Sequence, residues 1–169
     1  HSKNNCCGLL QLEHSYDLDE MYGDNYGYRS GLNKSMVEHL HNKVHKILDM
    51  VDLNPDDLVI DIGSNDGILL KHFKNGGMRV LGIEPAGDIV KEALNNDVET
   101  IHAYFNSEFA EKIIKDYGFA DLVTVNNLFA NIDDLGDFVI GIKNILKNEG
   151  VLVIEASNVF DMIENMVYF

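Results

Sequence analysis

From Val59 to Gly67 the chain reads Val-Ile-Asp-Ile-Gly-Ser-Asn-Asp-Gly, an apolar run passing straight into a glycine-bracketed turn that carries carboxylates. Gly63 lets the backbone approach a ligand closely, and Gly67 lets a following helix start tight against the strand, so neither position wants a side chain. The next apolar run ends in Gly82-Ile83-Glu84-Pro85, where a carboxylate at a strand end can accept hydrogen bonds from both hydroxyls of a ribose. A dinucleotide site would carry G-x-G-x-x-G, whose second glycine makes room for a pyrophosphate. Here position 65 is Asn and position 66 is Asp, and an acidic side chain there repels a pyrophosphate. Asp61 and Asp66 instead favour a ligand bearing a sulfonium and an ammonium. The expected cofactor is therefore S-adenosylmethionine, held by Asp61, Gly63, Ser64, Asn65, Asp66 and Gly67 of the turn and by Glu84 and Pro85, with Glu84 on the ribose. The plainer alternative makes Asp61 and Glu84 strand-end acids in exposed loops.

Further along, His102-Ala103-Tyr104-Phe105 places aromatic groups where an adenine can lie against Tyr104, although packing is an equal reading. Asn126 and Asn127 follow the fourth apolar run and offer amides to the methionyl part of a cofactor or to a substrate, or simply favour a turn. Methyl transfer to carbon needs aligned reactants and a base that removes a proton. Tyr22, Tyr26, Tyr28, His39 and His102 are candidates near the expected cleft. Tyr26 and Tyr28 are the expected catalytic pair, folding over the reacting methyl to exclude water; the alternative is that the tyrosines anchor an irregular arm by packing. His41 and His45 lie one helical turn apart without an evident third ligand and read as solvated histidines, so no metal is expected. The only cysteines, Cys6 and Cys7, are adjacent, which suits neither a disulfide framework nor paired C-x-x-C knuckles. The acids at 17–20 and 133–134 read as solvated surface or helix starts.

These residues need a scaffold, and the periodicity supplies one. Met36, Val37, Leu40, Val44, Ile47, Leu48 and Val51 recur at helical spacing, with Asn33 available as a cap. From Leu58 onward, apolar runs at 58–62, 79–83, 99–102, 122–125 and 151–155 alternate with amphipathic segments at 68–73, 89–94, 109–117 and 138–146. Strands separated by helices of that length pair in parallel through right-handed crossovers. The expected fold is α/β, a Rossmann-like doubly wound parallel sheet, with an extended arm over 1–32 and the cofactor domain over 33–169. Residues 159–169 read as one more helix. The chain stops where such a sheet would normally gain another strand or two, so it reads as a fragment.

A chain of 169 residues, 46% hydrophobic, can bury one substantial core. No apolar run reaches the roughly 18 residues of a membrane span, and neither a membrane partner nor a secretion signal is expected, with the cytoplasm as the default location. A formal net charge of -15 argues against nucleic acid as a partner, since tracking a phosphate backbone needs clustered Lys and Arg.

Taken together, Cys7-Gly8-Leu9-Leu10-Gln11-Leu12, Tyr26-Gly27-Tyr28-Arg29-Ser30, Asn33-Lys34-Ser35-Met36, the glycine turn, Ile83-Glu84-Pro85 and Asn127-Leu128-Phe129-Ala130 resemble the sugar C-methyltransferase family. The resemblance covers nearly all of the chain and implies methylation of a carbon of a nucleotide-linked deoxysugar, a small-molecule substrate. It also implies an N-terminal zinc module with two cysteine pairs; Cys7 matches its last ligand, whereas Asn4 occupies the partner position, so the module is absent or degenerate here. Where the family has Phe-Ala-His, this chain has Phe129-Ala130-Asn131, and Asn131 exchanges no proton near neutral pH. The family's Glu and His motif after the fifth strand would fall beyond Phe169, so the chain alone is expected to bind cofactor weakly and to leave a sugar unmethylated. Two alternatives stand beside this reading: a nicotinamide-dependent reductase of the same broad fold, and a binding module that keeps the cofactor pocket without a base.

Overall fold

The computed structural model describes residues 17–22, 26–158 and 163–166. Cys6, Cys7 and the stretch 8–12 lie outside the described residues, as does most of the final helix expected over 159–169, of which 163–165 are helical. The arm read as extended contains a short helix, α1 (Leu18–Tyr22). α2 (Lys34–Met50) begins at Asn33, whose side chain accepts from Ser35 N and so satisfies one of the amides that a helix start leaves unpaired.

The remaining elements alternate: β1 (Leu58–Ile62), α3 (Ile68–Asn75), β2 (Arg79–Glu84), α4 (Gly87–Asn95), β3 (Thr100–His102), α5 (Ser107–Tyr117), β4 (Ala120–Asn126), α6 (Leu135–Ile145) and β5 (Leu146–Glu155). The five strands form one sheet in the order β3-β2-β1-β4-β5, and every neighbouring pair is parallel. This is the expected Rossmann-like α/β architecture. The strand order reverses at β1, where the chain moves outward first to β2 and β3 and then to β4 and β5, and the crevice beside such a switch point receives ligands.

Period-two alternation sorts the strand residues between two cores. Leu58, Ile60 and Ile62 of β1 pack with Ile113, Phe138 and Ile142 from α5 and α6, while Val59 packs with Leu40, Val44 and Ile47 of α2 and Leu70 and Phe73 of α3. Asp61 shares the face of Val59, as Thr124 and Asn126 of β4 share that of Leu122 and Glu155 of β5 that of Val151 and Val153. A row of polar groups thus stands at the carboxyl ends of β1, β4 and β5, on the side covered by α2.

Gly67 closes the turn at φ 76, a left-handed conformation, and a Cβ built there would come within 2.9 Å of Val98. Gly67→Ala is expected to lower stability by about 1–3 kcal/mol through backbone strain and this contact, read as a lower urea midpoint. Gly27→Ala, at a position with nothing within 4 Å of the added carbon, serves as the control and leaves the midpoint unchanged.

Candidate cofactor site

A cavity of ≈ 370 Å³ opens at the carboxyl ends of the strands. Of the residues expected to hold a cofactor, Asp61, Gly63, Ser64, Asn65, Glu84, Pro85, Tyr104, Asn126 and Asn127 all line it. Asp66 and Gly67 do not. The Asp66 carboxylate, expected beside a cationic ligand, instead accepts from Gly31 N at 2.7 Å, because the left-handed residues Asn65 and Gly67 on either side turn it under the arm. Gly67 packs against Val98, as a helix start held close to its neighbours requires.

The turn after β1 is held by β2. Gly63 N and Ser64 N donate to Ile83 O at 2.8 and 3.2 Å. Glu84, 4% exposed, accepts from Asn65 N through Oε2 and from Ala86 N through Oε1, both at 3.0 Å. Burial raises the Glu84 pKa above the usual carboxylate value, against the two backbone amides and His102, which favour the ionised form. Asp61 is 2% exposed and accepts on Oδ1 from Thr124 Oγ1 at 2.6 Å and Asn126 Nδ2 at 3.0 Å. Burial pushes its pKa up to about 7 despite those donors and the charge of Lys43.

The arm forms another wall. Asn65 holds it twice, accepting from Ser30 N at 2.9 Å and donating to Tyr28 O at 3.1 Å. Arg29 pairs with Glu92 at 2.9 Å. Tyr22, Tyr26 and Tyr28 all line the cavity, and the Tyr22 and Tyr26 rings meet edge to face at 5.4 Å. Burial, then the charges of Tyr22, Glu84 and Tyr28, raise the Tyr26 pKa, so it presents a neutral phenol near neutral pH and not a basic phenolate. His39 lies outside the lining, on Glu155, and His102 also lies outside it, 2.7 Å from Pro85 O.

Several groups escaped the sequence reading. Glu155 and Asp137 line the cavity along with Asp133 and Asp134, whose sequence pattern reads as solvated surface or a helix start. Asp134 does cap α6, accepting from Asp137 N at 2.9 Å. The fold also brings His72 of α3 to His41, with their Nδ1 atoms 3.3 Å apart, while His41 Nε2 faces His45 Nε2 at 3.1 Å. His41 meets its two neighbours through opposite ring nitrogens, so the three donors do not converge, and among the described residues no group of three could hold a metal ion. Among the described residues no helix is long and apolar enough to cross a membrane.

Fold and site together define a doubly wound α/β domain with an acid-lined ligand cavity at its strand ends. The profile of the methyltransferase domain family matches residues 34–167, and the chain belongs to that family, whose cofactor is S-adenosylmethionine. Over 159 residues it is 31% identical to the C-methyltransferase NovU of Streptomyces niveus, an alignment covering 94% of this chain and 38% of that protein. The chain therefore spans well under half the length of this relative. Among solved structures it is similar to a SAM-dependent methyltransferase from Archaeoglobus fulgidus, at TM-score 0.60 and 18% identity over 72% of this chain and 53% of that one. It is also similar to the plantazolicin methyltransferase BpumL, solved with a pentazolic desmethylPZN analogue and SAH, at TM-score 0.59 and 14% identity over 79% and 51%. At these identities the structures speak for the fold.

Asp61 also ties stability to pH. Its folded pKa of about 7 lies above its reference value of 3.8, so the folded state keeps a proton that the unfolded chain gives up between those values. The contribution is fully present below the reference value and is lost as pH rises through about 7. Urea midpoints of wild type and Asp61→Asn at pH 5 and pH 8 are expected to show a smaller loss at high pH in the variant.

Proposed function

We propose that the cavity holds S-adenosylmethionine with its ribose on Glu84 and the ammonium of its amino-acid end toward Asp61 and Asn126, and that the domain transfers the methyl group to a carbon acceptor. One observation carries the cofactor placement: the cavity is lined by six carboxylates, Asp61, Glu84, Asp133, Asp134, Asp137 and Glu155, and by no Lys, Arg or His among the described residues. That lining suits a ligand with an ammonium and a sulfonium and opposes the pyrophosphate of a nicotinamide dinucleotide. The donor set fits the cofactor. Glu84 keeps unused lone pairs for ribose hydroxyls after accepting its two amides, and Gly63 brings the backbone to the ligand without a side chain. Ser64, Asn65 and Pro85 complete that wall, Tyr104 flanks the adenine, and Asn127 stands beside Asn126 at the end of β4.

When bound, the cofactor supplies an electrophilic methyl group. The chain's own residues position and shield. Tyr26 and Tyr28 on the tethered arm exclude water from the reacting centre, and Tyr26, as a neutral phenol, acts as a hydrogen-bond donor. Carbon as the acceptor atom rests on the likeness to a C-methyltransferase. A nucleotide-linked sugar as acceptor rests on the sequence resemblance described above. The acidic lining offers nothing to its phosphates, so the sugar end enters and the phosphates stay outside.

Titration calorimetry with S-adenosylhomocysteine and with NADH tests the reading. The expected outcome is saturable binding of the first alone, weakened by about 1–3 kcal/mol in Glu84→Ala through lost ribose hydrogen bonds. An unchanged dissociation constant in a folded Glu84→Ala protein would remove the ribose assignment, and NADH binding in place of S-adenosylhomocysteine would remove the cofactor assignment.

A further inference from the structure

α2 presents Leu40, Val44 and Ile47 to the sheet, and Lys43 stands on the same stripe with its side chain only 11% exposed. A lysine buried to this degree needs partners for its ammonium. It has two: Glu155 Oε2 at 2.7 Å, and Asn126 Oδ1. The other end of the Asn126 amide, Nδ2, donates to Asp61 Oδ1, which also receives Thr124. His39, one turn before Lys43, reaches Glu155 at 3.3 Å. A continuous polar chain therefore runs from His39 through Glu155, Lys43, Asn126 and Asp61 to Thr124, joining α2 to the ends of β5, β4 and β1.

The chain has a direction, and Lys43 sets it. An ammonium is a donor only, so it claims the carbonyl oxygen of Asn126 and obliges the amide to turn its NH₂ group toward Asp61. With the lysine gone, no ammonium holds the carbonyl oxygen, and the amide can turn that oxygen toward a protonated Asp61, whose O–H donates to it and keeps the acid neutral. We propose that Lys43 is a positioning residue for the cofactor's amino-acid end: it fixes the orientation of Asn126 and braces Glu155, so that Asp61 is presented as an anion where the ligand's ammonium arrives. This deepens the function proposed above and rests on the same pocket assignment. Lys43 is outside the cavity lining, so its influence passes through Asn126, Glu155 and its charge.

The charged and titratable groups that bear on Asp61 and its neighbours are Lys43 and His39 on α2, Glu84 on β2 and Glu155 on β5. Partial burial pushes Glu155 up, but its hydrogen bond to Lys43, the lysine charge and His39 outweigh this and hold its pKa below the usual value, so Glu155 is an anion near neutral pH. Removing Lys43 leaves Asp61 facing Glu84 without a compensating cation. Neutralising Glu155 instead leaves the lysine charge free to act on Asp61. The two changes therefore shift the ionisation of Asp61 in opposite directions.

S-adenosylhomocysteine, which carries the ammonium, is the probe, titrated from pH 5.5 to 8.5 into wild type, Lys43→Met, Lys43→Arg and Glu155→Gln, with the Asp61 carboxyl carbon followed by NMR in the free proteins. Wild-type affinity is expected to rise as Asp61 ionises. Lys43→Met moves the midpoint of that rise up by about one pH unit and weakens binding at pH 7 about tenfold, Lys43→Arg restores both, and Glu155→Gln moves the midpoint down. An unmoved midpoint in folded Lys43→Met overturns the role of Lys43 while leaving the cofactor site intact. Should Lys43→Met fail to fold, an unmoved or rising midpoint in Glu155→Gln overturns it equally. Wild-type protein that binds no S-adenosylhomocysteine at any pH overturns both this inference and the pocket assignment.

Discussion

Glu84 holds the site together by accepting two backbone amides in a place almost closed to water. The turn after β1 closes only one of its own amides, Gly67 N on Ser64 O at 3.1 Å, because Gly63, Asn65 and Gly67 all lie in the left-handed region, where neither helix nor strand pairing continues. Ile83 O takes the first two amides and Glu84 takes the third, at Asn65. The same carboxylate caps its own loop at Ala86 N. One side chain at the end of β2 thereby sets the shape of the turn at the end of β1, and the parallel register of Ile62 with Ile83 keeps the two ends level.

The turn in turn holds the arm. Asn65 grips Tyr28 and Ser30, Asp66 grips Gly31, and a Cβ on Gly31 would come within 2.8 Å of that carboxylate. The arm, the turn and the end of β2 are therefore joined by hydrogen bonds, which link the placement of the tyrosines over the cavity to the residues beneath them. Asp66 lies outside the cavity lining and reaches the arm through this tether.

On the α2 side, the cavity is closed by an ion-paired chain beside the apolar Met36 and Leu40. Lys43, its side chain only 11% exposed, is costly to bury and depends on Glu155 for its counter-charge. Their pairing joins α2 to β5 at the level of the cavity, while Leu40, Val44 and Ile47 join it to the sheet below. The acidic lining fits this arrangement: the compensating ammonium sits behind the wall, and the space in front stays negative.

Alternation of apolar runs with helical periodicity, the glycine turn and the acid at the second strand end determined the parallel α/β sheet and much of the cavity lining. Those features are local, since a strand, its turn and the next strand end occupy one stretch of chain and their chemistry follows from a few adjacent side chains. Glu155 meets Lys43 and His39, and His72 meets His41, only because distant elements pack together, and the alternation of each strand chooses the face. The one local trace of Lys43 is a charge on the otherwise apolar sheet-facing stripe of an amphipathic helix. The direction of Asp66 was likewise out of reach: residue type fixes a carboxylate's charge, but the backbone angles of its neighbours and the path of the arm fix where it points.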